Sequence, residues 1–379
     1  MIQRLLPFLP FAIWIGLILF RGNFWRSDQI TSGEAKDLDS WPNVTAVIPA
    51  RNEAPSIGAT VETLLAQDYP GSLSVVVVDD NSDDGTADVA RAAAGDRADK
   101  LTVVSGKPLE AGWSGKLWAV SQGIEGATTS DYIWLTDADI THTPGNLRWL
   151  VAKAEVEKLD LVSEMVMLRC ESFWERLLIP AFIFFFQKLY PFPQVNNPDH
   201  AVAAAAGGCV LVKRKALADA GGIAAIKDKL IDDCALAAII KARGPIWLGL
   251  TERAHSLRVY NHLSEIWHMV ARTAFVQLDH SVLQLIGTVV GMAIIYLAAP
   301  IMAIWSGITG DELLGLAGGG AWLVMAITFL PTLRLYKMNP AWAMALPLAG
   351  LIYTAMTVDS ARQHWAGRGG AWKGRSYSS

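Results

Sequence analysis

Asp137 and Asp139 flank Ala138 at the end of the apolar run 132–135. Residues two apart on an extended chain face the same way, so their carboxylates converge on one point. Two like charges there repel, and a divalent cation would remove the repulsion. Hard oxygen ligands suit Mg²⁺ or Mn²⁺. The alternative is a solvated loop in which acidic residues merely follow a strand. A second acidic group, Asp79 and Asp80, closes the apolar run 73–78 and leads into Asn81-Ser82-Asp83-Asp84-Gly85-Thr86. A carboxylate there can accept from a base N–H or a ribose hydroxyl. Asp83 and Asp84 read instead as a helix N-cap. No Gly-x-Gly-x-x-Gly spacing follows that strand, and no Gly-Lys-Ser/Thr phosphate loop occurs. Asp232 and Asp233 precede "CALAAIIKA", where either one reads as a helix cap.

These residues need elements to hold them. Residues 44–53 read as a buried strand ending in a polar loop. A helix follows from the spacing of Ile57, Val61, Leu64 and Leu65, with Ser56 as its expected cap and Pro70 as its stop. Residues 73–94 give a second strand, the acidic loop and a second helix; residues 101–106 give a third strand. Alternating strands and helices predict an α/β domain with a mostly parallel sheet. Ligands of such sheets bind beyond the carboxyl ends of the strands, and the loops 50–53, 79–86 and 137–139 all stand at such ends.

Hydrophobic residues make up 52% of the 379 and charged residues only 18%. The excess is concentrated in four charge-free runs: 5–20, 281–310, 313–333 and 338–358. A membrane-spanning helix needs roughly 20 apolar residues, so the last three are long enough and the first is borderline. Arg4 precedes the first run as in a signal peptide, but residues 21–26 offer no small-residue cleavage site, which predicts an uncleaved anchor. The expected organisation is an anchor at 1–26, a globular domain at 42–275, a transmembrane region at 281–358 and a basic tail at 359–379. Arg21, Arg26, Arg334 and Lys337 place the globular domain on the cytoplasmic side of an inner membrane. The tail residues Arg362, Arg368, Lys373 and Arg375 prefer that side too, which three full C-terminal spans do not permit; one run is then re-entrant. Residues 173–192 hold an apolar core of only about ten residues, too short to span. They read as a buried core helix or an interfacial one. The density of rings (Phe182, Phe184, Phe185, Phe186) favours the membrane surface. The net charge of −4 excludes a nucleic-acid binder dominated by basic surface. Three cysteines without metal or redox spacing suit a reducing compartment.

"VIPARNE", "VVVVDDNSDDGT", "GWSGKLWAVSQG", "LTDADI", "GGCVLVKRKALADAGG" and "LIDDCALA" occur in the order and spacing of family-2 inverting glycosyltransferases, which the chain resembles. Its C-terminal part, with "IWHMVARTAFVQL" and a closing "WKGRSY", resembles the hopanoid-cluster-associated branch, relatives of ceramide glucosyltransferases. The resemblance implies a GT-A-like nucleotide-sugar-binding domain and one Mg²⁺ or Mn²⁺. The reaction it implies is inverting transfer from a nucleoside-diphosphate sugar, a UDP-sugar foremost, to a lipid hydroxyl at the bilayer. Carried over, Glu53 joins the substrate-binding set, Asp79 and Asp80 hold the nucleoside, and Lys116 stands near the diphosphate. Asp137 and Asp139 become the metal pair. Asp233 becomes the catalytic base, with Asp232 in place of the family's glutamate. A base is needed because an alcohol loses its proton as it attacks. Processive members carry Gln/Arg-x-x-Arg-Trp; here Trp267, His268, Arg272 and Thr273 stand instead, which favours a single transfer. Arg272 is a candidate for the diphosphate or for a domain interface. Two alternatives remain: a polyprenyl-phosphate sugar synthase, and a non-catalytic sugar-nucleotide-binding membrane protein.

Overall fold

The computed structural model describes residues 5–368, 371–372 and 375–376. Arg4 and Lys373 lie outside the described residues. After a short apolar helix, α1 (Leu9–Phe20), the chain builds β1 (Val44–Ala50), α2 (Ala54–Leu65), β2 (Leu73–Asp79), α3 (Thr86–Ala94), β3 (Leu101–Ser105), α4 (Gly115–Glu125), β4 (Tyr132–Thr136) and β5 (Ile140–His142). It continues through α5 (Asn146–Glu157), β6 (Leu161–Met167), α6 (Phe173–Leu189), β7 (Cys209–Lys213), α7 (Asp232–Lys241), β8 (Ile246–Ser256) and α8 (Leu263–Ala271). Three long helices close it: α9 (Val282–Thr309), α10 (Glu312–Leu335) and α11 (Pro340–Trp365).

The strands form one sheet in the order β3-β2-β1-β4-β7-β6-β8-β5. β7 runs against β4 and β6, and β5 against β8; the other pairings are parallel. Every residue of β1 is buried. That is why it reads as a continuous apolar run rather than an alternating one: helices cover both faces. Ile57, Val61, Ala90, Leu147 and Leu150 pack one face, whereas Leu117, Val120, Leu236 and Ile240 pack the other.

Two caps differ from expectation. Glu53, not Ser56, is the N-cap of α2, and Ser56 lies inside the helix. Pro55 sits in the first turn, where its missing N–H costs nothing, so the helix starts ahead of the serine. The helix also ends at Leu65, well before Pro70. Helix α3 has Gly85 as N-cap, at φ 85°. Asp84 receives the N–H of Thr86 but also that of Ala54, both at 3.0 Å, so it ties two helix starts together rather than capping one.

The helices α9, α10 and α11 are each long and apolar enough to cross a membrane, whereas the N-terminal helical stretch Leu6–Phe20 is shorter. Helix α6 begins with a capping box between Ser172 and Glu175 and lies between the sheet domain and these helices. The lipid-facing role expected of its rings is corrected for Phe184, which is fully buried. Its ring meets Phe24 at 5.3 Å, tilted, and Phe329 at 5.2 Å, edge-on, and Phe185 meets Tyr296 at 5.2 Å and Tyr353 at 5.1 Å. Rings that crowd a sequence to face lipid are indistinguishable there from rings that join two layers of protein. Phe184→Ala is therefore expected to destabilise the fold by about 3–5 kcal/mol. Thermal unfolding in detergent reads this as a lowered midpoint; an unchanged midpoint would return the ring to the lipid surface.

Candidate active site

The parallel strands β1, β2 and β4 end at one edge of the sheet. Because β7 runs the other way, the residues that precede it, Gly207 and Gly208, reach the same edge. The first two loops are stitched together: Asn52 N–H donates to Ser82 Oγ at 3.0 Å, and Glu53 N–H to Thr86 Oγ1 at 2.9 Å. Asp79 Oδ1 accepts the Ser82 N–H at 3.1 Å, and Asp80 is buried 3.8 Å from the Arg51 guanidinium.

Lys116, in the first turn of α4, places Nζ 3.0 Å from Asp137 Oδ1 and 3.1 Å from Asp232 Oδ2. Burial opposes its charge, but Asp137 and Asp232 overcome that and hold its pKa above the usual lysine range. Burial likewise pushes the Asp137 carboxyl up, against the pull of Lys116. The question posed by the two aspartates thus has a first answer in the protein itself. Lys116 neutralises Asp137, and Arg258 Nε neutralises Asp139 at 2.9 Å. Arg258 also reaches Glu53 Oε1 at 3.5 Å.

Asp232 and Asp233 occupy the first turn of α7, where acids suit the helix dipole; the N-cap is Ile231, so neither aspartate holds the expected cap position. Asp233 accepts the Gly207 N–H at 2.9 Å and the Cys234 N–H at 2.7 Å. Its carboxyl is pushed up to about 6, by burial first and then by the neighbouring Asp232, with Lys116 opposing. A Cβ on Gly207 would stand 3.4 Å from both Asp233 Oδ2 and Lys116 Nζ, so the backbone here runs close beside both charged groups.

Behind the edge lies a buried polar chain. Asn146 Nδ2 donates to Glu164 Oε2 at 2.9 Å and lies 3.1 Å from His142 Nδ1. His142 Nε2 is 3.0 Å from Thr136 Oγ1, which donates to the Gly208 carbonyl at 2.9 Å. Burial drives His142 down to about 3 and Glu164 up to about 7, so the imidazole is neutral. The network assigns its proton to Nε2, donating to Thr136. The hydroxyl just before Asp137 is thereby fixed to the backbone beside Gly207, which holds Asp233.

Glu53, Lys116, Asp137, Asp139, Asp232, Asp233 and Arg272 line one cavity of about 580 Å³. Asp79 and Asp80 do not line it; they stand at the end of β2, Asp79 against Ser82 and Asp80 beside Arg51. The far wall is apolar: Phe182, Phe185 and Phe186 of α6, Met269 and Val270 of α8, and Tyr353 of α11. The donor set at the polar end fits Mg²⁺ or Mn²⁺. Lys116 engages one oxygen of Asp137 and Arg258 one oxygen of Asp139, which leaves a hard oxygen on each. Two protein carboxylates are enough for ions that keep waters and take phosphate oxygens. Arg258 and Gly207 were not singled out in the sequence. The Gly207-Gly208 pair was a usable signal; an arginine two residues past a strand was not.

The sheet order, the helices on both faces and the acidic strand ends define a GT-A-like α/β domain. Within it, residues 45–221 match the family model described as Glycosyl transferase family 2. Among curated relatives, a 4,4'-diaponeurosporenoate glycosyltransferase of Staphylococcus aureus is 37% identical over 109 residues, 28% of this chain and 27% of that protein. Another strain's enzyme of the same name is 33% identical over 130 residues, 34% of this chain and 32% of that protein. The aligned part thus spans about a third or less of these relatives. Among solved structures, the mannosyltransferase PcManGT of Pyrobaculum calidifontis, in complex with GDP-Man and Mn²⁺, superposes with a TM-score of 0.57. It is 21% identical, over 92% of this chain and 98% of that one, and shares the fold.

Proposed function

We propose that this chain moves a single sugar from a nucleoside-diphosphate sugar to a lipid hydroxyl, with inversion at the anomeric carbon. The observation that carries the reading is the continuity of one cavity. Its polar end holds the carboxylates and Lys116, and its apolar wall is built by α6, α8 and α11. A lipid alcohol (a hopanoid, a sphingolipid-like molecule or another) would lie along that wall with its hydroxyl at Asp233. There Asp233 takes the proton as the oxygen attacks, and Lys116 steadies the diphosphate. Mg²⁺ or Mn²⁺ held by Asp137 and Asp139 would offset charge on that leaving group. The name of the Staphylococcus relatives supports an apolar acceptor, and the ligands of PcManGT support a nucleotide sugar and a divalent ion. In this reading the catalytic domain faces the cytoplasm from an inner membrane.

Arg272 and Lys229 line the same cavity. These cations favour the second reading, in which the acceptor is a polyprenyl phosphate. The test is transfer by the full chain in detergent, with UDP-glucose or GDP-mannose and a membrane lipid extract, read by mass spectrometry. A glycosylated lipid alcohol is the expected product, absent in EDTA and restored by excess Mn²⁺. A glycosylated polyprenyl phosphate selects the second reading. Full activity in excess chelator refutes the metal assignment, and no product with either donor refutes transfer of these sugars.

A further inference from the structure

We infer that Arg258 is a mobile counter-ion with two successive partners: the Asp139 carboxylate before a divalent cation binds, and the donor's diphosphate afterwards. The inference rests on the proposed function. The guanidinium bridges acids from two strand ends, with Nε 2.9 Å from Asp139 Oδ2 and Nη2 3.5 Å from Glu53 Oε1. Its side chain is 43% exposed, against 14% for Asp139 and 15% for Glu53, so it covers both acids from the solvent side.

Its backbone is pinned. Leu257 N–H donates to the Asp139 carbonyl at 2.8 Å, and Tyr260 N–H to Glu175 Oε1 at 2.8 Å. Motion is therefore left to the side chain. A divalent ion on Asp139 satisfies the charge that holds Arg258 and repels the guanidinium. Glu53, at the longer distance, is a weak second anchor. The acceptor best suited to a displaced guanidinium is a diphosphate, whose oxygens match its fork. Lys116 differs: if a cation takes Asp137, Asp232 still holds it at 3.1 Å. One cation of the site is thus kept in place while the other changes partner.

The test separates the two halves by sign. Arg258→Gln removes a competing charge, so Mn²⁺ binding to the full chain in detergent, without nucleotide, should tighten several-fold. Electron paramagnetic resonance of free Mn²⁺ reads it. Binding of UDP or GDP at saturating Mn²⁺ should weaken about ten-fold, because a charge-assisted contact to phosphate is lost. Arg258→Lys, which keeps the charge, should fall between wild type and Arg258→Gln in both. Unchanged or weaker Mn²⁺ binding in Arg258→Gln overturns the first half; unchanged or tighter nucleotide binding overturns the second. Wild-type protein that binds neither Mn²⁺ nor a nucleoside diphosphate overturns the proposed function itself.

Discussion

Asp233→Asn is expected to lower turnover by about 10²–10⁴-fold, the usual contribution of a general base. Donor affinity should stay within a few-fold, because the hydrogen bonds of this side chain go to the Gly207 and Cys234 N–H groups rather than to the metal pair. A base that acts as the proton leaves is felt in the transition state, so the loss falls on kcat. In wild type the rate should rise with pH through about 6, where burial and Asp232 place the Asp233 carboxyl. The stability sign runs the other way. A carboxyl whose folded pKa is raised favours the fold at low pH, and that contribution is lost as pH rises from its ordinary value through about 6. The asparagine variant has no such loss, so at neutral pH it should be slowed without being less stable. Kinetics and thermal unfolding on the same preparation check both. Near-normal turnover would remove Asp233 as base and favour a phosphate acceptor, which needs little help losing a proton.

The α/β alternation was legible because it is written locally: continuous apolar strands, helical spacing between them, and acids where strands stop. The polar pole was legible for the same reason, since Lys116, Asp137, Asp139 and Asp233 sit in short motifs. What escaped depends on distant partners. Arg258 meets Asp139 across 119 residues because the antiparallel pairing of β8 with β5 sets Ser256 opposite Ile140. Gly207 reaches Asp233 because β7 is antiparallel in an otherwise parallel neighbourhood. Asp84 looks like a cap in isolation, yet it also receives an N–H from the start of another helix. Phe184 shows the same limit, as composition records an apolar ring without saying whether lipid or protein covers it.

Lys116→Met is expected to cost about 10²-fold or more in turnover at saturating donor and Mn²⁺, the range for removing a preorganised charge from an active site. Its effect differs in kind from that of Asp233→Asn, because this lysine joins the two halves of the site. With it gone, Asp137, Asp232 and Asp233 lose their shared cation, and the diphosphate loses a positive neighbour. Lys116 holds the Asp233 pKa down, whereas Asp232 holds it up. The acid limb of the kcat profile should therefore move to higher pH in Lys116→Met. In Asp232→Asn it should move to lower pH, with a smaller loss of rate. Opposite displacements are hard to obtain from general loosening, which would shift both variants alike. The measurement is kcat against pH for wild type and the two variants at saturating substrates. Shifts of the same sign would mean that the group titrating near pH 6 is not Asp233, and the lysine would then serve the diphosphate alone.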